Sequence, residues 1–299
     1  MKKMYRIVLA FLIVFSIPII IWFIQPKKEV KVAVIDKSVT AENTGDTGLE
    51  WLLNYNKVTD LNEESFEMVE DSYGHLVGKE ENPSGMPENY QDYDLVYLAN
   101  TAGIEGQDNR GLTTSEWKDI IDWTLSDKDT TLLAEFNSFG PESEPAVVES
   151  ASQMIEGDIS DWIGRFSSEL NYEENPDLPN WLLDNYQGDW SYEGPGLILY
   201  NQVTNEVVIL PKDLYLAEDF KQLAVDFSQE IQDLADLPDQ VNYFNWFNIV
   251  DARNDDLVLA HYYLPLNEAG KDKFEEMGLP LELPAILKGH TENDRFIYF

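Results

Sequence analysis

Three short apolar runs, separated by stretches of helical periodicity, constrain this chain more than any other feature. They are Lys31–Lys37 (KVAVIDK), Tyr93–Ala99 (YDLVYLA) and Thr130–Phe136 (TTLLAEF). Short runs rich in branched and aromatic residues, bounded by polar or Gly-rich segments, read as buried strands. Between them, residues 49–55 suit a helix. Another begins at Thr114, whose hydroxyl can cap it, with Trp117, Ile120, Ile121 and Leu125 three or four apart, and a third is expected at 145–155. Residues 77–91, rich in Gly, Pro, Asn and Glu, read as an exposed loop, and a second loop carries Gly103, Gly106 and Gly111. Strands alternating with helices over short connections predict an α/β fold, a mostly parallel sheet flanked by helices of the flavodoxin type.

The second half is less regular. Residues 171–196 carry Pro176, Pro179, Gly188, Gly194 and Pro195 together with Trp181 and Trp190, and strands are expected again at 196–200 and 207–210. Leu216, Phe220, Leu223, Phe227, Ile231 and Leu234 predict an amphipathic helix over 216–234. Aromatic-rich segments at 241–250 and 257–264, separated by Asn254-Asp255-Asp256, read as a hairpin. A short helix at 268–277 closes on Gly278, and residues 295–299 read as a buried strand. A terminus inside such a strand suggests a fragment of a longer protein. The division expected is an α/β domain over 31–214 and an α+β extension over 215–299.

Residues 1–30 stand apart. Ile7–Ile24 is an 18-residue run without charge, preceded by Lys2, Lys3 and Arg6 and followed by Lys27 and Lys28. As a helix it would measure roughly 27 Å, near the hydrocarbon thickness of a bilayer. A cleavable signal peptide would have a shorter apolar region and a small-residue cleavage site, and Trp22-Phe23-Ile24-Gln25 offers none. The reading is an N-terminal transmembrane helix and signal anchor over residues 7–24. The larger basic count before the run favours a cytoplasmic N-terminus and an extracytoplasmic C-terminal domain at the cell membrane.

The chain has 20 basic and 56 acidic residues; residues 1–30 hold five of the basic and one of the acidic, which leaves 15 against 55. So negative a field repels nucleic acid, and no nucleic-acid partner is expected. The acidic residues are spread along the chain, as on a solvated surface suited to high salt. With no cysteine there is no thiol nucleophile, disulfide or thiolate site, and His75, His261 and His290 lack metal-ligand spacing. No cofactor and no metal are expected, and the chain leans away from being an enzyme.

The segments "QDYDLVYLAN" and "EWKDIIDWTLSDKDTTLLAEFNSFG" together resemble the class I glutamine amidotransferase-like fold, in particular its non-catalytic versions such as the middle domain of some β-galactosidases. The likeness covers about residues 31–150 and implies an amidotransferase-like sheet. Catalytic members need a cysteine on a G-x-C-x-G elbow with a histidine downstream. This chain has none, so the resemblance implies no glutaminase activity.

In such a sheet, ligands bind beyond the carboxyl ends of the strands. Asp36, Asn100, Thr101, Glu135 and Asn137 are therefore expected along one edge, with Asp36 and Glu135 as the candidate catalytic acids. Strand-end acids more often cap backbone amides. Arg165, beside Asp161, Trp162, Ile163 and Phe166, needs an anionic partner if buried, with Asp36, Glu135 or Asp161 as candidates; a role for Asp161, Trp162 and Arg165 in ligand binding is the sharper alternative. Trp162, Trp181, Trp190 and the aromatic run at 243–247 are candidates for stacking on sugar rings, with a core role as the alternative. The function expected is a membrane-tethered, extracytoplasmic, non-catalytic module that binds glycan or a partner protein in cell-envelope or exopolysaccharide assembly. The alternatives are a carboxylate-dependent hydrolase of extracellular saccharide and a structural component of an envelope complex.

Overall fold

A computed structural model describes residues 2–40, 45, 47–75, 85–103, 110–126, 130–235, 237–289 and 295–299. Among the described residues twelve strands follow in chain order: β1 (Val32–Asp36), β2 (Leu95–Asn100), β3 (Thr131–Ala134), β4 (Gly157–Ser167), β5 (Gly196–Asn201), β6 (Val207–Pro211), β7 (Ala224–Phe227), β8 (Gln240–Asn242), β9 (Phe247–Ala252), β10 (Val258–Tyr263), β11 (Pro284–Gly289) and β12 (Phe296–Tyr298). Eight of them form one sheet in the order β1-β2-β3-β12-β11-β10-β7-β8, and four form a second in the order β6-β5-β4-β9.

The first three expected strands are β1, β2 and β3, side by side and parallel. The mostly parallel sheet is corrected, however. Parallel pairing runs only from β1 through β2 and β3 to β12; the pairings from β12 to β11, β10, β7 and β8 are antiparallel, and the second sheet is antiparallel throughout. The large sheet is therefore mixed. Its strands beyond β3 come from the last third of the chain and pair antiparallel there, the helices Gln229–Ala235 and Glu268–Glu276 lying within the β7–β8 and β10–β11 connections without carrying the chain to a parallel neighbour.

The transmembrane helix is corrected as well. A helix runs over Lys2–Ile24, with Pro18 inside it, but among the described residues no helix is long and apolar enough to cross a membrane.

Two further expectations change. Most of the helix over 216–234 is absent: Ala224–Phe227 is β7, paired with β10, and only Gln229–Ala235 is helical. The hairpin at 241–264 is split, because β9 joins β4 in the small sheet while β10 lies between β11 and β7 in the large one. Parts of two expected loops, residues 77–84 and 104–109, lie outside the described residues, as do His290 and the side chain of Leu125.

The strands' two-residue alternation divides the core between the sheet faces. On one face Ala33, Ile35, Val96, Leu98, Leu132 and Ala134 pack under Trp117, Ile120 and Trp123 of the helix Thr114–Ser126 and Val147 and Ala151 of the helix Pro145–Met154. On the other, Val32, Val34, Leu95 and Tyr97 meet Leu49 and Leu53 of the helix Thr47–Tyr55. The two sheets meet through a third cluster, in which Phe247 of β9 lies against Tyr262 of β10, ring centroids 4.4 Å apart.

Candidate functional site

The carboxyl ends of β1, β2 and β3 form one edge, and the chain is tightly fastened there. Asn137 adopts a left-handed conformation (φ 69°), which asparagine tolerates better than most residues. This turn sends Ser138 back under the sheet, where its hydroxyl donates to the carbonyl of Leu98 (3.0 Å) and its carbonyl accepts from the Thr101 hydroxyl (2.6 Å). Asp36 stands opposite Asn100 in the β1–β2 register. Asp36, Asn100, Thr101, Glu135 and Asn137 thus lie along this edge.

Asp36 and Glu135 do not form a working pair. Asp36 is 1% exposed, and its Oδ1 accepts from the backbone amide (2.8 Å) and hydroxyl (2.6 Å) of Ser38. Glu135 follows β3, two strands away, so the two backbones are about 10 Å apart. Tyr97 of β2 stands between them on the same face and donates its phenol to Glu135 Oε2 (3.0 Å). Next to Asp36, Lys37 turns to the opposite face, fully buried, and its ammonium meets Glu116 Oε2 at 2.9 Å and the carbonyl of Gly111 at 2.6 Å.

Asp161, Trp162 and Arg165 lie elsewhere, on β4 of the small sheet. Trp162 packs against the core between the sheets. The anionic partner expected for Arg165 is missing among the described residues: the side chain is half-buried, and its Nη1 donates to the carbonyl of Asp177 at 3.3 Å. Trp181 and Trp190 join a satellite core over β5 and β6, with Trp181 5.6 Å from Trp246.

Glu135 opens onto a cleft of about 340 Å³ that crosses the end of the large sheet. One wall is Glu135 and Phe136 after β3, with Phe299 after β12; the floor comes from Ala285 and Ile286 of β11 and Tyr262 of β10; the far wall is Tyr243 with β7 and β8. Asn242 and Asn245 stand exposed at the rim. Tyr243 is fixed by donating to the carbonyl of Trp246 (2.8 Å), and its ring lies 5.2 Å from that of Tyr262. Burial raises the phenol of Tyr243 above its ordinary value; a hydrogen bond with Tyr262 opposes the shift and the negative charge of Glu135 adds to it. Tyr262 is raised well above the usual range, first by burial and then by the neighbouring Tyr243. Both rings are therefore neutral walls across the ordinary pH range.

Of these groups, sequence reasoning finds Glu135, from its place at a strand end, and Tyr243, from the aromatic run. It misses Tyr97, Phe136, Tyr262 and Phe299. For Tyr97 the sequence carries a signal, because it alternates with Val96 and Leu98, which face the core, whereas Phe299 comes to the cleft through the pairing of β12 with β3. Among the described residues no group of three His, Asp or Glu side chains is arranged to hold a metal ion. One carboxylate between aromatic rings, with amides at the rim, is equipped to bind a small polar ring and to hold it by one charge. Compared with known proteins, the chain matches no family model, no curated protein and no solved structure.

Proposed function

We propose that this protein is a non-catalytic module that binds glycan in the cleft beside Glu135, in the service of cell-envelope or exopolysaccharide assembly. The observation that carries the reading is the composition of the cleft. Phe136, Tyr243, Tyr262 and Phe299 surround a single carboxylate, and Asn242 and Asn245 are open at the rim. Aromatic rings cover the apolar faces of a pyranose, while amides and a carboxylate take its hydroxyls. Hydrolysis is disfavoured by the state of the acids. A glycosidase needs two carboxyl groups facing one bond, whereas Asp36 is buried against Ser38 and does not line the cleft.

The test is a glycan array probed with the full chain and with the Phe136→Ala variant. Saturable binding that falls at least tenfold in the variant, with the bound saccharide recovered uncleaved, supports the reading. Absence of binding to any glycan would replace it with recognition of a partner protein.

A further inference from the structure

The end of the apolar N-terminal helix meets the helix Thr47–Tyr55, and three lysines converge where they touch. Trp22 Nε1 donates to the carbonyl of Tyr55 (2.9 Å), and the Lys28 amide donates to the carbonyl of Lys57 (2.9 Å). Lys57 follows its helix in a left-handed conformation (φ 63°), where glycine or asparagine is the ordinary occupant. Its ammonium lies on the face of Trp22, 3.5 Å from the ring centroid. Between the two segments is a hollow of about 600 Å³. Among the described residues that line it are Lys27, Lys28 and Lys57, and no Asp or Glu.

Such a place stands out in a chain with 56 acidic residues and 20 basic ones. Among the described residues none of these three ammonium groups forms an ion pair with a carboxylate. Lys27 donates instead to the backbone carbonyl of Glu63, and Lys57 rests on Trp22. Glu63 and Glu64 line the adjoining hollow rather than this one. The rest of the wall is largely apolar: Pro18 and Ile21 of the N-terminal helix, and Tyr55, whose exposed ring stacks on that of Trp51 with centroids 5.0 Å apart.

We infer that this hollow holds the headgroup phosphate of an anionic phospholipid, with its oxygens on Lys27, Lys28 and Lys57 and its acyl chains along Pro18 and Ile21. Three cations without a carboxylate partner call for an anion, and the apolar wall beside them calls for an amphiphile rather than free phosphate. Trp22, Trp51 and Tyr55 suit the headgroup level of a bilayer, where amphipathic rings gather. A nucleic acid brings the charge without the apolar part, and a second copy of the chain is repelled by its own net charge of −36. That charge does not bar a membrane. At 0.15 M salt the field of distant acids is screened beyond about 8 Å, whereas the lysines touch the phosphate. The contact asks only for the surface of a bilayer, not for a helix that spans one. It is independent of the glycan reading, since the hollow shares no residue with the cleft beside Glu135.

Flotation of the full chain with phosphatidylcholine vesicles, with and without phosphatidylglycerol, tests this at physiological salt. Partitioning is expected to be at least tenfold stronger onto the anionic vesicles. A lysine beside an anionic surface contributes roughly fivefold in affinity, so Lys57→Gly and Lys28→Gln should each lower the preference by about this factor. Glycine suits the left-handed backbone at residue 57. Thermal unfolding of Lys57→Gly should therefore match the wild type, which separates lost binding from lost folding. Lys118→Gln, exposed on the helix Thr114–Ser126, removes the same charge and should leave the preference intact. Equal partitioning onto the two kinds of vesicle would overturn the inference. So would a preference that survives Lys28→Gln combined with Lys57→Gly. Competition by soluble glycerol phosphate at matched phosphate concentration would overturn the lipid assignment in favour of a free-phosphate site.

Discussion

Tyr97 Oη donates to Glu135 Oε2 over 3.0 Å, from one parallel strand to the end of the next, while its ring stands edge-on to Phe299 with centroids 6.2 Å apart. One side chain thus orients the acid and braces the aromatic wall of the cleft. Tyr97→Phe keeps the ring and removes the hydroxyl. A hydrogen bond to a charged group contributes roughly 1.5–3 kcal/mol, and water regains part of it at a half-buried site. The variant should lose about 1 kcal/mol of stability in urea unfolding and several-fold in glycan affinity, measured by calorimetry.

On the opposite face, Lys37 and Glu116 form an ion pair with side chains only 2% and 13% exposed. It ties the end of β1 to the first turn of the helix Thr114–Ser126, and Glu116 also accepts from the amide of Thr113. Removing one partner of a buried pair leaves an uncompensated charge and costs about 3–5 kcal/mol. Glu116→Ala should show a loss of this size in denaturant unfolding. Lys37→Met combined with Glu116→Leu should be less destabilised than Glu116→Ala alone, because no bare ammonium remains.

The sequence made the first half of the fold legible because its signals are local. β1, β2 and β3 are apolar runs, and of the stripe read on the helix that follows β2, Trp117, Ile120 and Ile121 pack into one core. The rest depends on partners distant in sequence. Leu223 and Phe227 fit a helical stripe as well as a strand, and the edge of β10 decides the outcome by pairing with Ala224–Phe227. β9 and β10 are neighbours in sequence, yet periodicity carries no record that they enter different sheets. The same limit hid half of the site. Glu135 could be placed from the end of its strand, but Phe299 reaches it only because β12 pairs with β3, and Tyr262 only because β10 joins the same sheet through β11.

Gly164 offers a way to disturb the cleft from outside it. A Cβ at this position of β4 would lie 2.5 Å from Cζ of Phe247, and Phe247 is fully buried against Tyr262 in the cleft floor. The contact is with a packed ring, so Gly164→Ala must push Phe247 toward Tyr262. Overpacking of this kind costs typically about 1–3 kcal/mol. A matching loss in thermal unfolding is expected, together with weakened glycan binding, although residue 164 touches no ligand. Unchanged binding in a destabilised variant would show that the floor yields independently of the site.

Alkaline pH should unfold the protein through its buried tyrosines. Burial raises the phenols of Tyr90, Tyr93, Tyr243, Tyr262 and Tyr298 above their ordinary value; Tyr192 is pushed up to about 12, by burial and by its hydrogen bond with Tyr186. An unfolded tyrosine ionises near pH 10 or about there, so above that pH the unfolded chain releases protons that the folded chain keeps. The stability these groups supply is complete below about pH 10 and falls as pH rises through their folded values. The urea midpoint should hold steady up to that point and then decline, with tyrosinate absorbance appearing in step with unfolding. Tyr90→Phe should soften the decline without destabilising the protein at neutral pH, since the buried Tyr90 hydroxyl has no hydrogen-bond partner among the described residues.

Salt should act in the opposite sense. With 56 acidic residues against 20 basic, folding brings like charges together, and screening relieves that repulsion as the Debye length shrinks from about 10 Å at 0.1 M to about 3 Å at 1 M. Salt also weakens surface pairs such as Lys118–Asp122 and Lys271–Glu268, but exposed pairs of this kind contribute little. Lys37–Glu116, being buried, is largely sheltered from screening. The repulsive excess therefore dominates, and the melting temperature should climb by several degrees between low and molar potassium chloride. A melting temperature that stays flat or falls would mean that bound cations or local pairing already neutralise the surface at low salt.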